Sequence, residues 1–401
     1  QSQDRATRKQ IDALDHLIAV LPKKPKKSVF RALPKPAQME NLFRVAEKNA
    51  TSQITTHLEN KRATAVTLAG FEPGSHFETL TFARKLFAES TARKAAKIGI
   101  AVIGLDDDTA DQVVAALIRA ADAATFALPD FKTGRSRSPA RQLRLLGTET
   151  RVPIRELRRG AVGNNLARWL TALPPNKLTA TTYRALAQSL AKQYGMQFEF
   201  LDTARLKRLS AGAFLAIAQG NAAEDAGIIH LKYRPKGSET PALALVGKGI
   251  LFDTGGTNLK PFKSMLDMHM DMQGSAVALG TAIELAAEKV PYAFDVWLAV
   301  TENRISAKAY KSQDVVVSAN GERSWVRFVV PGPGGVRVTL QRPLVRNTMI
   351  KRHQAPPQAR PVVRLTLCLG STWREAEISA LDGMQPTLRQ VPPSSSSEET
   401  L

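Results

Sequence analysis

Apolar and polar positions fall along this chain in blocks that alternate between short strands and amphipathic helices. Residues 63–68 and 98–104 are brief apolar runs and predict buried strands. Residues 77–96 and 108–124 predict helices, the second with an apolar face through Val113, Ala116, Leu117 and Ala120. This alternation predicts a smaller α/β domain over residues 1–150, closing before an Arg- and Gly-rich stretch at 132–151. A linker helix follows at 151–162. A second α/β domain spans 163–321, with a helix at 182–194, a strand at 196–201, a helix at 203–209 and a wholly apolar strand at 242–246. The order predicts a largely parallel or mixed central sheet. No internal repeat is present.

The pattern fails near residue 321. The tail, 322–401, is rich in Arg, Pro and Ser. It holds one lysine and ten arginines, against 23 lysines and 22 arginines before it. Only a hairpin, 326–330 with 336–340 across a Pro- and Gly-rich turn, is predicted there. The second domain is therefore expected to be truncated or aberrant at its C-terminal side. Its tail is expected to have a separate history, through a reading-frame shift or an alternative terminal exon. The alternative is a divergent C-terminal half whose nearby carboxylate pair, Glu375 and Glu377, supplies ligands.

The candidate chemistry sits just after the 242–246 strand, in Val246-Gly-Lys-Gly-Ile-Leu-Phe-Asp-Thr-Gly-Gly-Thr-Asn-Leu-Lys-Pro261 and then Asp271-Met-Gln-Gly. Lys248 is placed at the strand end, with Asp253 beside the turn at Gly255 and Gly256. Asp271 heads a helical pattern over 274–288. Carboxylate oxygens suit Mn, Mg or Zn, and a lysine joins them only when neutral. A protonated Lys260 is suited to stabilising an oxyanion. The spacing fits a plainer reading equally well, with Lys248 and Asp253 as a loop ion pair and Asp271 as a helix cap.

These segments resemble the leucine aminopeptidase (cytosol aminopeptidase) family. The resemblance continues upstream in Gly163-Asn-Asn-Leu-Ala-Arg-Trp-Leu-Thr-Ala-Leu-Pro-Pro-Asn176, Ala216-Ile-Ala-Gln-Gly220 and Ile228-Ile-His-Leu-Lys-Tyr233. Downstream it continues in Glu302-Asn-Arg-Ile305 and Lys308-Ala-Tyr-Lys-Ser-Gln-Asp-Val-Val316. It implies a peptidase with two divalent ions (Mn, Zn or Mg) that removes N-terminal, leucine-type residues from peptides. It also implies metal ligands at Lys248, Asp253 and Asp271, with Asp253 bridging, a catalytic Lys260, and Met268 lining the substrate side-chain pocket. A homo-oligomer, a hexamer, is implied as well. The family continues from its Ser-Ala-Asn-Gly segment into Asn-Thr-Asp-Ala-Glu-Gly-Arg, which carries two more carboxylate ligands and a catalytic arginine. Here Ser318-Ala-Asn-Gly321 runs into Glu322-Arg-Ser-Trp325 instead, so the chain is expected to hold a single ion. Two classes remain: a metalloaminopeptidase, or an impaired or dead protein of the same fold with a structural or binding role.

Charge alters this picture little. The net charge is +20, with a basic run at Pro22-Lys-Lys-Pro-Lys-Lys27. No aromatic residues interleave with it, so a solvated loop is expected rather than a nucleic-acid site. One cysteine, Cys368, leaves no disulfide framework. No run of about 18 apolar residues predicts a membrane span, and no signal-peptide core opens the chain. A cytoplasmic setting is expected.

Overall fold

The computed structural model describes residues 7–49, 51, 53–131, 142–147, 150–312, 314–319, 321, 323–325, 363–369 and 372–378. Two compact units result, Gln1–Arg327 and Phe328–Leu401.

The first half of the larger unit holds α1 (Arg8–Asp12), β1 (His16–Pro22), α2 (Pro36–Lys48), β2 (Gln53–His57), β3 (Ala65–Phe71), α3 (His76–Ala92), β4 (Lys97–Val102), α4 (Asp107–Thr125) and β5 (Gln142–Leu145). The sheet order is β2-β3-β1-β4-β5. The β1/β3, β1/β4 and β4/β5 pairs are parallel, and β2 is antiparallel to β3. β1 is central because Leu17–Leu21 are apolar throughout, which suits a strand covered on both faces. Ile18 and Val20 meet Ala83, Leu86 and Phe87 of α3 and Val113 and Leu117 of α4. Leu17, Ala19 and Leu21 meet Met39 and Phe43 of α2 on the opposite side. Both covering helices have built-in starts. Ser75 and Glu78 form a capping box on α3, and Asp106 accepts from Thr109 N–H on α4.

His16 lies at the start of β1, fully buried. Its Nε2 is 2.7 Å from Thr67 Oγ1 and its Nδ1 is 2.9 Å from Ser90 Oγ. Burial, then the nearby Arg93, lowers its pKa from 6.5 to about 4. The folded state therefore disfavours the proton that the unfolded chain accepts near pH 6.5. The associated stability is complete above that pH and is lost as pH falls toward 4. The shift corresponds to about 3 kcal/mol. Urea unfolding at pH 7 and pH 4 should show this loss, and His16→Gln should flatten it. An equal pH dependence in the variant would assign the loss to other groups.

The second half holds α5 (Ile154–Thr171), α6 (Ala180–Gln193), β6 (Gln197–Asp202), α7 (Thr203–Arg208), α8 (Gly212–Ala218), β7 (Gly227–Tyr233), β8 (Pro241–Asp253), α9 (Phe262–Met265), α10 (Gln273–Ala287), β9 (Ala293–Asn303), β10 (Val315–Val317) and β11 (Arg323–Trp325). The four-stranded sheet has the order β6-β7-β9-β8. Only β8 and β9 are parallel; β6/β7 and β7/β9 are antiparallel. The sheet is thus mixed rather than largely parallel. The reason is that the short loop after β7, at 234–240, cannot carry a crossover helix. α5, α6 and α10 cover one face around Leu170, Tyr183, Leu279, Ile283 and Val296.

The stretch expected as a linker, 151–162, and the expected start of the second domain at 163 lie largely in one helix, α5. Its arginines face acids: Arg158 meets Asp122 of α4, and Arg159 meets Glu156 and Glu288. Arg151, just before it, meets Asp108 and Asp111. Lys23 of the basic run pairs with Glu72. No described helix is long and apolar enough to cross a membrane.

In the smaller unit, β12 (Val363–Leu369) and β13 (Thr372–Ile378) form an antiparallel pair. Most of the expected hairpin at 326–340 lies outside the described residues.

Candidate metal centre

β8 carries the centre, and it is longer than its sequence predicts. The strand runs through Gly247 and Gly249 to Asp253, so Lys248 sits within it and not at its end. The glycines serve packing. A Cβ at Gly247 would stand 2.4 Å from Ser275 Cα, and one at Gly249 would stand 2.6 Å from the Ala299 carbonyl oxygen. Their absence lets α10 and β9 close onto β8, which brings Asp271 beside Lys248. Asp271 does not cap α10; it ends a 3-10 turn at Met268–Met270, two residues before that helix.

The chain turns after Asp253 through Gly255 and Gly256, with φ of +90° and +63°. The turn is fastened to the end of β9 and to the segment beyond it. Thr254 N–H and Oγ1 both donate to the Asn303 carbonyl, at 2.8 and 2.9 Å. Tyr310 OH donates to the Gly255 carbonyl at 3.2 Å, and Thr257 Oγ1 donates to the Tyr310 carbonyl at 2.7 Å. Lys260 N–H closes the loop on the Thr254 carbonyl at 2.9 Å.

Two ion pairs result. Lys248 Nζ donates to Asp271 Oδ1 at 2.7 Å, and Lys260 Nζ donates to Asp253 Oδ2. Asp253 Oδ1 also accepts from Asn303 Nδ2 at 2.7 Å and from Gly255 N–H at 2.9 Å. Burial pushes the Asp253 carboxyl up, but Lys260 and these donors outweigh it and hold the group below its ordinary value. Asp271 goes the other way. Burial raises it, Lys248 offsets only part of that, and the Asp253 charge adds to the rise. The two pairs therefore act on each other. Met268 lies half-buried in the turn that ends at Asp271.

The donor set fits a cation. Asp271 Oδ2 lies 2.7 Å from Lys248 Nζ in an ion pair, and Asn303 Oδ1 is a buried oxygen without a hydrogen-bond partner. An unpaired acceptor next to two carboxylates suits a divalent ion. The set does not fit a bridged pair of ions. Among the described residues no third carboxylate, imidazole or thiolate joins the two aspartates. The Lys248 side chain is also 58% exposed. Glu375 and Glu377 lie in β13 of the other unit.

The catalytic-domain model of the cytosol aminopeptidase family matches residues 165–327. Through this segment the chain is similar to the cytosol aminopeptidase family. A "Probable cytosol aminopeptidase" of Parasynechococcus marenigrum is 33% identical over 283 residues, 68% of this chain and 57% of the relative. One from Nostoc punctiforme is 41% identical over 161 residues, 40% of this chain and 32% of the relative. A tomato leucine aminopeptidase mutant superposes with a TM-score of 0.66 at 22% identity, over 81% of this chain and 66% of that one. A bottromycin maturation enzyme, BotP, solved in complex with Mn, gives 0.62 at 20% identity, over 78% and 65%. The chain spans about 30–60% of the length of the curated relatives it matches.

A second family model, retropepsin-like aspartic endopeptidase RimB, matches residues 301–390 and overlaps the first over 301–327. The tail thus resembles a different peptidase family.

Asn303 and Tyr310 went unassigned in the sequence, although both lie in the segments that carry the resemblance. Their position one and two motifs beyond Lys260 was the available signal.

Proposed function

We propose that β8 and its turn form a metalloaminopeptidase-type site that holds one divalent ion and the amino end of a peptide. Lys248, Asp253 and Asp271 would hold the ion, and Mn is the first choice because BotP was solved with it. An ion there supplies Lewis acidity toward a carbonyl and makes water a better nucleophile. Lys260, whose Nζ pairs with Asp253, would remain protonated and hydrogen-bond the charge developing on the substrate's carbonyl oxygen. Asn303 and Gly255 N–H fix the Asp253 carboxylate, so it need not reorganise. Met268 would line the pocket for a leucine-type side chain. The observation that carries this reading is the placement of Lys248, Asp253, Lys260 and Asp271 around one glycine turn inside a matched family segment. Assembly as a homo-oligomer of six and a cytoplasmic setting belong to the same reading.

A second reading, a binding protein with impaired catalysis, is favoured by the lack of further carboxylates among the described residues. Product release from a leucyl chromogenic amide separates the two. Release that requires Mn and disappears in Lys260→Ala supports hydrolysis by this site. Release that ignores both would place it elsewhere. Mn binding without release leaves the binding role.

A further inference from the structure

Between α6 and the start of α10 lie two buried hydroxyls that the proposed chemistry does not use. Tyr183 and Ser275 are both fully buried. Tyr183 OH donates to Ser275 Oγ at 3.0 Å, across 92 residues of chain, and Ser275 Oγ donates to the Met272 carbonyl at 2.8 Å. Burial pushes the Tyr183 phenol up, so it stays a donor. The surroundings are apolar: Tyr183 packs in the cluster that holds Leu170, Met272, Ala276 and Leu279. Phenylalanine and alanine would fill the same places without polar atoms to satisfy. What the hydroxyls add is direction, because each bond in such a chain fixes the orientation of the next group.

The chain of bonds ends one residue from Asp271. Met272 is fully buried, and its carbonyl also accepts from the N–H groups of Ser275 and Ala276, at 3.0 and 3.1 Å. Other anchors at this point are weak. Neither the 3-10 turn at Met268–Met270 nor α10 has a side-chain cap at its start. Asp271 N–H reaches the Met268 carbonyl only at 3.4 Å. Ser275 also marks where α10 meets the strand that carries Lys248. A Cβ at Gly249 would stand 3.3 Å from Ser275 Oγ, and one at Gly274 would stand 3.1 Å from the Lys248 backbone nitrogen. One hydroxyl thus joins α6, the start of α10 and β8.

We propose that Tyr183 and Ser275 are positioning residues for the metal centre. Through the Met272 carbonyl they fix the backbone at Asp271, and so the place of its carboxylate against Lys248. This rests on the metalloaminopeptidase reading above, in which Asp271 is a ligand. Neither hydroxyl touches the ion or the substrate.

The test uses the full 401-residue chain with Tyr183→Phe, which keeps the ring and removes the donor, and Ser275→Ala, which removes both bonds. The first readout is amide exchange without metal. Met270, Ser275 and Ala276, whose N–H groups close the turn and the first turn of α10, are compared with Leu279 to Ile283 farther along the helix. The second is the Mn dissociation constant by calorimetry, taken well below each variant's melting temperature so that only folded protein is read. In each variant the first set of amides is expected to exchange at least about tenfold faster, with the second set unchanged. The dissociation constant should rise about tenfold, the low end of what losing an outer partner costs. The double variant should bind no more weakly than Ser275→Ala alone, since Tyr183 acts only through Ser275. A lower melting temperature with unchanged exchange at the turn, or with unchanged Mn affinity, assigns the hydroxyls to packing and overturns the proposal. Additive losses in the double variant overturn it too. If the unaltered chain takes up no Mn, the proposed function fails, and the exchange comparison decides alone whether these hydroxyls hold the turn at Asp271.

Discussion

Titrated with Mn, the chain is expected to take up no more than one ion per molecule, and to cleave leucyl amides at least about 100-fold more slowly than a full-length relative. The argument is one of ligand count and charge. Two dipositive ions held close together repel, and only bridging and terminal carboxylates offset that repulsion. This centre offers Asp253, Asp271 and Lys248, with no third acidic group or imidazole among the described residues. If Asp253 bridged, the second ion would keep little else. Loss of outer partners alone typically costs about 10–100-fold in affinity or activity, and loss of two direct ligands costs more. Asp253→Ala should remove even the single ion, because that carboxylate is the one its surroundings hold charged, through Asn303, Gly255 and Lys260. Calorimetry with Mn reads the stoichiometry. Two ions per chain, with brisk turnover abolished by Asp253→Ala, would overturn the expectation.

The Lys and Asp positions of this centre could be read from the sequence because a glycine turn between charged residues is a local signal. What surrounds them could not. Gly247 and Gly249 read as the end of a strand, since glycine usually weakens one. In the fold they are where Ser275 and the Ala299 carbonyl come closest, contacts that no local pattern encodes. Asn303 reaches Asp253 across 50 residues and Tyr310 reaches Gly255 across 55. Their roles exist only once β9 lies beside β8. The helices of the first domain were easier, because apolar spacing and caps such as Asp106 are local. β1 has no such punctuation beyond the apolar run itself, and its central place depends on β3 and β4. The sense of the second sheet stayed open between largely parallel and mixed for a similar reason: β9, not β7, is the neighbour of β8, and strand order is a tertiary property.

The largest stability effect is expected where α5 crosses α10. Gly163 and Gly280 meet there backbone to backbone. A Cβ at Gly280 would stand 2.4 Å from the Gly163 carbonyl oxygen, and one at Gly163 would stand 2.3 Å from that of Gly280. Two effects compete in Gly280→Ala. Replacing a mid-helix glycine by alanine favours the helix by about 1 kcal/mol. Overpacking a close contact costs about 1–3 kcal/mol, occasionally more. Here the obstacle is backbone and cannot rotate aside, so the clash wins. Gly280→Ala should lose about 1–2 kcal/mol, and Gly280→Val about 3 kcal/mol or more, since the branched side chain also meets buried neighbours of α10. At about 2–4 °C per kcal/mol for a unit near this size, the valine variant should melt roughly 6–12 °C lower. Thermal unfolding followed by circular dichroism checks it, and an unchanged or raised midpoint would show that the helices can part freely. The double variant Gly163→Ala/Gly280→Ala sharpens the point. Once the first Cβ has pushed the helices apart, the second enters a gap already open, so the combined loss should fall short of the sum. A fully additive loss would mean that the two glycines do not share one contact.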